Sequence, residues 1–182
     1  DVDGRYRGMD MKIHQDEETT YYTVFSLWDT HRATHPLYTI IEQDRTNHFI
    51  RTFIKKYEEG GILPIWDLAG NYTNTMIGYH AVPVIADAYL KGIREYDIKK
   101  AYKAMKHSAT RDDYGLESYK KLGYIPVEKE SESVSKTLEY AYDDWTIAMI
   151  AKELGQSDDY KTYLQRAQYY KNVFDPETNF MR

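Results

Sequence analysis

Apolar positions recur at helical spacing along most of this chain. Between Pro36 and Tyr57, the residues Leu37, Ile40, Ile41, Phe49, Ile50, Phe53, Ile54 and Tyr57 stand mostly three or four apart. That spacing predicts one amphipathic helix, closed by Gly60-Gly61. The stretch MIGYHAVPVIADAYLKG, residues 76–92, is apolar on nearly every side and predicts a buried helix with a kink near Pro83. Asp97 then caps a more polar helix, IKKAYKAMKHSA, with lysines on its outer side. After a turn-rich interval holding Gly115, Gly123 and Pro126, another helix is expected from about Ser133 to Leu154, stopped by Gly155. Ser157 caps a last one reaching about Phe174. Two stretches break this rhythm. DGRYRGMDMKIHQ reads as a short extended segment at the N-terminus, and GILPIWDLAGNYTN, with Pro64 and Gly70, reads as a loop. Nearly all-apolar helices alternate with amphipathic ones, as an inner and an outer ring of helices require. The predicted fold is all-α, helical hairpins set in a toroid, with a helical solenoid as the alternative.

Composition narrows the function classes. The chain has 182 residues, the size of one domain able to bury a core. Its net charge is −5 with both signs interspersed, which argues against nucleic acid as a partner. The longest apolar stretch, AVPVIADAYL, is broken by Pro83 and Asp87, so no membrane span is expected. There are no cysteines, which excludes disulfides and thiolate metal sites, and the six His are expected to form no zinc site. The 19 Tyr are the compositional oddity. A flat apolar ring with a polar tip suits helix seams and sugar-lined clefts alike. The missing initiator Met and the abrupt ending at NFMR suggest a piece of a larger protein.

One predicted helix carries more polar groups than packing needs. In ESVSKTLEYAYDDW, residues 132–145, a wheel at about 100° per residue puts Val134, Leu138, Ala141, Trp145 and Ala148 on one apolar stripe. Ile147, Ile150, Ala151 and Leu154 cover much of the opposite side, so the C-terminal half is expected to be buried all round. Glu139 and Asp143 share a side of the N-terminal half. Either they form a solvated strip beside a Lys, or the helix start opens on a cavity. In the second case Glu132, Ser133 and Ser135 meet a ligand near the positive end of the helix dipole.

WDTHRATHPLYTI, GGILPIWDLAGNYTNTMIGYHAVPVIADAYLKG, ESVSKTLEYAYDDW and RAQYYKNVFDPETNFMR together resemble the glycoside hydrolase family 92 α-mannosidases. The likeness runs essentially from Asp3 to Arg182. It implies a calcium-dependent, inverting, exo-acting bacterial enzyme that hydrolyses terminal α-mannosides of glycans, as in N-glycan degradation. It also implies a secreted, periplasmic or cell-surface location. In that family an N-terminal β-sandwich precedes a C-terminal (α/α)₆ barrel, and the resemblance makes residues 1–182 the first part of the barrel. The rest of that catalytic domain is then the chain's own partner. The family's catalytic acid lies in an Glu-Gly-Asn-Ala-Trp motif, its base in a Gly-Asn-Asp/Glu-Asp-type motif and its calcium on an Asn-Glu-Pro motif. None of these motifs occurs in this sequence. No catalytic residue and no metal ligand is therefore expected within it, and the calcium ligands lie outside.

Sugar recognition remains. By residue type Trp28-Asp29 reads as a packed Trp with a helix-capping Asp; the resemblance implies instead a Trp ring on a pyranose face and a carboxylate accepting hydroxyl hydrogens. His31 stands where the family usually has an aromatic such as Phe. Trp66 reads either as a loop anchor or as another wall of the cleft. His80 reads as a satisfied core histidine, although its IGYH context recurs in the family. The expected substrate-binding residues are Trp28, Asp29, Trp66, His80, Glu132 and Ser133. The alternative functions are a non-catalytic helical sugar-binding protein, or a module like a tetratricopeptide pair at DWTIAMIAKELGQSDDYKTYLQRAQYYKNVFD. The latter needs a repeat of about 34 residues, which the sequence does not show.

Overall fold

The computed structural model describes residues 3–17 and 19–182. Two compact units divide the chain, Asp1–Met105 and Lys106–Arg182.

In the first unit, β1 (Arg5–Arg7) and β2 (Ile13–Gln15) form an antiparallel hairpin with Tyr6 opposite His14. A second small sheet holds β3 (Phe25–Ser26), β4 (Trp66–Leu68) and β5 (Asn71–Tyr72), antiparallel and in that order. The unit also holds α1 (Leu27–Thr30), α2 (Thr34–Ile41), α3 (Gln43–Gly60) and α4 (Ala81–Leu90), with α2, α3 and α4 packed on one another. The core of α3 is its Phe49, Ile50, Phe53 and Ile54 face, where the rings of Phe49 and Phe53 meet Phe25 edge-on at 5.6 and 4.7 Å.

The helical expectation needs four corrections here. Short sheets make the chain mainly helical rather than all-α. The expected loop around Trp66 holds β4 and β5, because Ala69 and Gly70 both take positive φ, 51° and 75°, as a two-residue hairpin turn requires. The helix predicted across 36–57 breaks at Glu42, with φ −144° and ψ 58°, and restarts as α3. Leu37, Ile40 and Ile41, ahead of the break, are 50%, 73% and 60% exposed and do not belong to the buried stripe. The closing signal held, since Gly61 at φ 82° donates its N–H to the Tyr57 carbonyl. Finally, α4 starts at Ala81, not Met76, because Met76 and Gly78 have φ 69° and 80°. Pro83 then lies in the first turn, where its missing N–H is no loss and no kink is needed.

Helix α5 (Ile98–Thr110) carries the chain across the division, and its start is capped as expected. The Asp97 carboxylate accepts the N–H groups of Lys99 and Lys100 at 2.9 and 3.1 Å. The second unit continues with α6 (Leu116–Leu122), α7 (Ser133–Glu153), α8 (Ser157–Arg166), a 3₁₀ turn (Tyr169–Val173) and a hairpin of β6 (Phe174–Asp175) with β7 (Phe180–Met181). Helix α8 packs along α7. The interval read as turns holds α6, set between Gly115 and Gly123 at φ 81° and 78°. The last helix ends at Arg166 rather than near Phe174, and its cap position is Gln156, not Ser157.

Helix α7 answers what its polar residues do. Asp143 is fully buried and Glu139 half-buried, so they form no solvated strip, and the neighbouring Asp144 is fully buried too. Asp144 Oδ2 accepts the Arg166 Nε–H at 2.7 Å and lies 3.1 Å from the Tyr119 hydroxyl, while Arg166 Nη2 donates to the Ala109 carbonyl at 2.9 Å. Burial, and then the Asp144 charge, push the Tyr119 phenol far above its ordinary range, so it stays a donor. The burial expected all round is incomplete, because Trp145 is 44% exposed and stacks beside Tyr142.

Candidate functional site

The first unit holds four of the six expected site residues, and backbone pairing sets the segments that carry Trp28, Asp29 and Trp66 side by side. Strand pairing sets Ser26 opposite Trp66, and Leu27 N–H donates to the Ile65 carbonyl at 3.2 Å. Helix α1 begins immediately after β3, so Trp28 and Asp29 follow within a turn of that pairing. The fully buried Leu27 side chain anchors the turn. The Thr30 hydroxyl closes it by donating to the Ser26 carbonyl at 2.9 Å.

Asp29 lies inside α1 and caps no helix; the cap of α1 is Ser26, and that of α2 is Ala33. Its carboxylate is exposed and accepts the Ser26 hydroxyl. Trp28 is half-buried, with the Arg32 guanidinium 5.0 Å from its ring centroid. Trp66 is also half-buried, and its carbonyl accepts the Thr73 hydroxyl at 2.6 Å. The corner therefore offers two indoles and an exposed carboxylate.

His80 lies beneath this corner and is completely buried. Its ring stacks on that of His31, centroids 3.9 Å apart and nearly parallel at 9°. His31 Nδ1 lies 3.0 Å from the Leu27 carbonyl. The aromatic place of the family pattern is thus filled by an imidazole that also stacks. His31 and His35 stand four residues apart, an H-x-x-x-H spacing that by itself could suit a metal. Yet His35 turns into the Phe25, Phe49 and Phe53 cluster. Burial, and then His31, pull its imidazole down to about 4.

A buried ion pair under the sheet was not anticipated. Lys56 Nζ binds Asp67 Oδ2, both residues being fully buried, and the ammonium lies 4.8 Å from the Phe25 ring centroid. Burial lowers the Lys56 ammonium and raises the Asp67 carboxyl, each only partly opposed by the charge of its partner. The signal was present in the sequence, since Lys56 follows Phe53 by three residues on the apolar stripe of α3.

Glu132 and Ser133 belong to the second unit. Glu132 is the exposed residue before α7, in a left-handed conformation, and its carboxylate accepts the Ser131 hydroxyl at 3.0 Å and pairs with Lys136 at 3.4 Å. Ser133 is buried, and its carbonyl accepts the Thr137 hydroxyl at 2.8 Å. Within either unit taken alone, no three His, Asp or Glu ligand atoms converge among the described residues. Among the described residues no helix is long and apolar enough to cross a membrane.

The profile described as "Glycosyl hydrolase family 92 catalytic domain" matches residues 1–182, and the chain belongs to that family of glycoside hydrolases. It is similar to a family GH92 alpha-mannosidase from Bacteroides thetaiotaomicron at 48% identity and TM-score 0.96, over 100% of this chain and 25% of that one. The same enzyme is known in complex with mannoimidazole, with 100% of this chain and 24% of that one covered. A second relative, a family GH92 inverting mannosidase from Bacteroides thetaiotaomicron VPI-5482, is 37% identical with TM-score 0.87, over 97% and 25% of the two chains. An uncharacterized secreted glycosidase of Arthroderma benhamiae is 32% identical over 143 residues, 69% of this chain and 18% of that protein. The chain thus spans about a quarter or less of the length of these relatives.

Proposed function

We propose that residues 1–182 are the first part of the (α/α)₆ barrel of a bacterial, extracytoplasmic, inverting exo-α-mannosidase, and that the Trp28–Asp29–Trp66 corner is a wall of its sugar site. The observation that carries this reading is the Ser26–Trp66 pairing, which sets the turn bearing Trp28 and the exposed Asp29 beside the strand bearing Trp66. A pyranose has an apolar C–H face for an indole and hydroxyls for a carboxylate, so it fits such a corner. Mannoimidazole binding by the 48% identical relative, and the inverting mechanism named for the 37% identical one, support mannosides as substrate and inversion as outcome.

Inverting hydrolysis needs an acid to protonate the leaving oxygen and a base to activate water, about 6.5–9.5 Å apart. In this proposal both lie outside residues 1–182, as do the calcium ligands. A bound calcium supplies electrostatic hold on sugar hydroxyls. The residues present here bind and orient. Asp29 accepts hydroxyl hydrogens of the terminal mannose, Trp28 and Trp66 cover sugar faces and exclude water, and His80 supports them from below. Glu132 and Ser133 are proposed separately as polar sugar contacts, for which Glu132→Gln in the full-length enzyme is the test; an unchanged KM removes them.

Asp29→Asn in the full-length enzyme tests the main reading. A charge-assisted hydroxyl contact contributes about 1.5–3 kcal/mol, so losing one or two lowers kcat/KM by roughly one to four orders of magnitude. The substitution hardly changes shape, and because Asp29 caps no helix the melting temperature is expected to stay put. Wild-type kcat/KM on an aryl α-mannoside and a mannobiose would remove Asp29 from the sugar site.

A further inference from the structure

We propose that Arg32 is a positioning residue for mannoside binding, one that holds the Trp28 indole in the orientation a sugar needs. This rests on the reading of Trp28 and Asp29 as sugar wall. Arg32 follows Trp28 by four residues, in the turn that continues α1. Its guanidinium carbon lies 5.0 Å from the indole centroid, and its Nη1 donates to the Trp28 carbonyl at 2.9 Å. One planar group thus grips both the ring and the peptide of the same residue.

The grip matters because α1 is only four residues long. A single helical turn does not hold itself, since nucleation fixes several dihedrals for one hydrogen bond. Side-chain contacts must fix its geometry: the buried Leu27, the Thr30 hydroxyl on the Ser26 carbonyl and the Arg32 clamp. Arg32 reaches the indole ring itself. An indole left to change rotamer would have to be ordered by each arriving sugar, which weakens binding. Lysine cannot reproduce the clamp, because a point charge lacks the planar fork that stacks and donates at once.

Because the clamp acts equally before and during the chemical step, its loss raises KM and leaves kcat nearly unchanged. In the full-length enzyme, Arg32→Ala is expected to raise KM for an aryl α-mannoside about three- to tenfold, in line with a partly exposed cation–π contact. Arg32→Lys should fall between. Arg32→Gln, which keeps a donor for the Trp28 carbonyl but not the stacked cation, serves if the alanine variant folds poorly. The decisive measurement is a double-mutant cycle with Trp28→Ala, because a residue acting only through Trp28 adds nothing once the indole is gone. Acrylamide quenching, compared with and without Trp28→Phe, should show the Trp28 indole more accessible in Arg32→Ala. Unchanged KM in Arg32→Ala with a raised KM in Trp28→Ala overturns the proposal while leaving the sugar wall standing. So do effects of the two substitutions that multiply. Unchanged KM in both Trp28→Ala and Asp29→Asn overturns the sugar wall, and this proposal with it.

Discussion

Each unit of this chain buries one ion pair, and the two are built differently. In the second unit the Asp144 carboxylate meets a guanidinium and a phenol, and the same guanidinium reaches on to the Ala109 carbonyl and flattens over the Tyr119 and Tyr163 rings. In the first, a single ammonium meets one oxygen of Asp67. The other oxygen, Oδ1, has no hydrogen-bond partner of standard geometry among the described residues. The difference is one of satisfied valences. Arginine has five donors in a rigid fork and can knit several elements together, whereas lysine offers a point charge that shifts its proton equilibrium when buried. The Asp144 network is therefore the lock of α6, α7 and α8, and the Lys56–Asp67 pair is a less fully hydrogen-bonded support under β4.

The largest test removes the fork. Arg166→Met leaves Asp144 buried without its cation and should cost about 3–5 kcal/mol in denaturant unfolding. Adding Asp144→Leu should not fully restore stability, because the Ala109 carbonyl loses its donor as well, although the Tyr119 hydroxyl keeps the Arg166 carbonyl as acceptor at 3.1 Å. Full recovery in the double variant would show the network to be a simple pair.

Acid should expose the first unit next. His35 titrates at about 4 in the folded chain against an ordinary 6.5. Its neutral form contributes stability that is complete above pH 6.5 and is lost as pH falls toward 4, about 3 kcal/mol in all. Asp67 works the other way, since a raised carboxyl is relieved by protonation. His35→Leu should flatten the fall in melting temperature between pH 6.5 and 4; an unchanged slope would place the acid sensitivity elsewhere.

The lysine pair gives a smaller, more diagnostic effect. Lys56→Met should cost about 1–3 kcal/mol by stranding Asp67, and adding Asp67→Leu should restore stability to within about 1 kcal/mol of the parent or exceed it. That recovery is what the Asp144 network is expected to lack, so equal behaviour of the two double variants would erase the contrast. The smallest change concerns the hairpin beside Asp67. Ala69 sits at φ 51°, and Ala69→Gly should stabilise by about 0.5–1 kcal/mol, read as a shift in denaturant midpoint.

Long elements with a strong period and glycine punctuation were legible in the chain. Helix α3 ends at Gly61 and α7 runs out just before Gly155, as their spacing implied. The break at Glu42 was not legible, because neither Gly nor Pro marks it. Strands β4 and β5 are three and two residues long and owe their existence to Phe25 and Ser26, some forty positions away, which no local pattern announces. The same pairing assembles the candidate site. Trp28, Asp29 and Trp66 could each be singled out by type, but their common corner depends on register between distant segments. Arg32 was visible four residues after Trp28, yet its stacking depends on a turn whose shape the sequence does not spell out.

Gly78 has no room for any side chain. A Cβ there would lie 2.3 Å from His80 Nε2, and the backbone sits at φ 80° besides. The imidazole has in effect taken over the volume that residue 78 would otherwise occupy. Positions 78 and 80 should therefore behave as a single two-letter word across related sequences. A larger first letter needs a smaller second one and still carries the cost of φ 80°, so a library that randomises position 78 alone should return glycine.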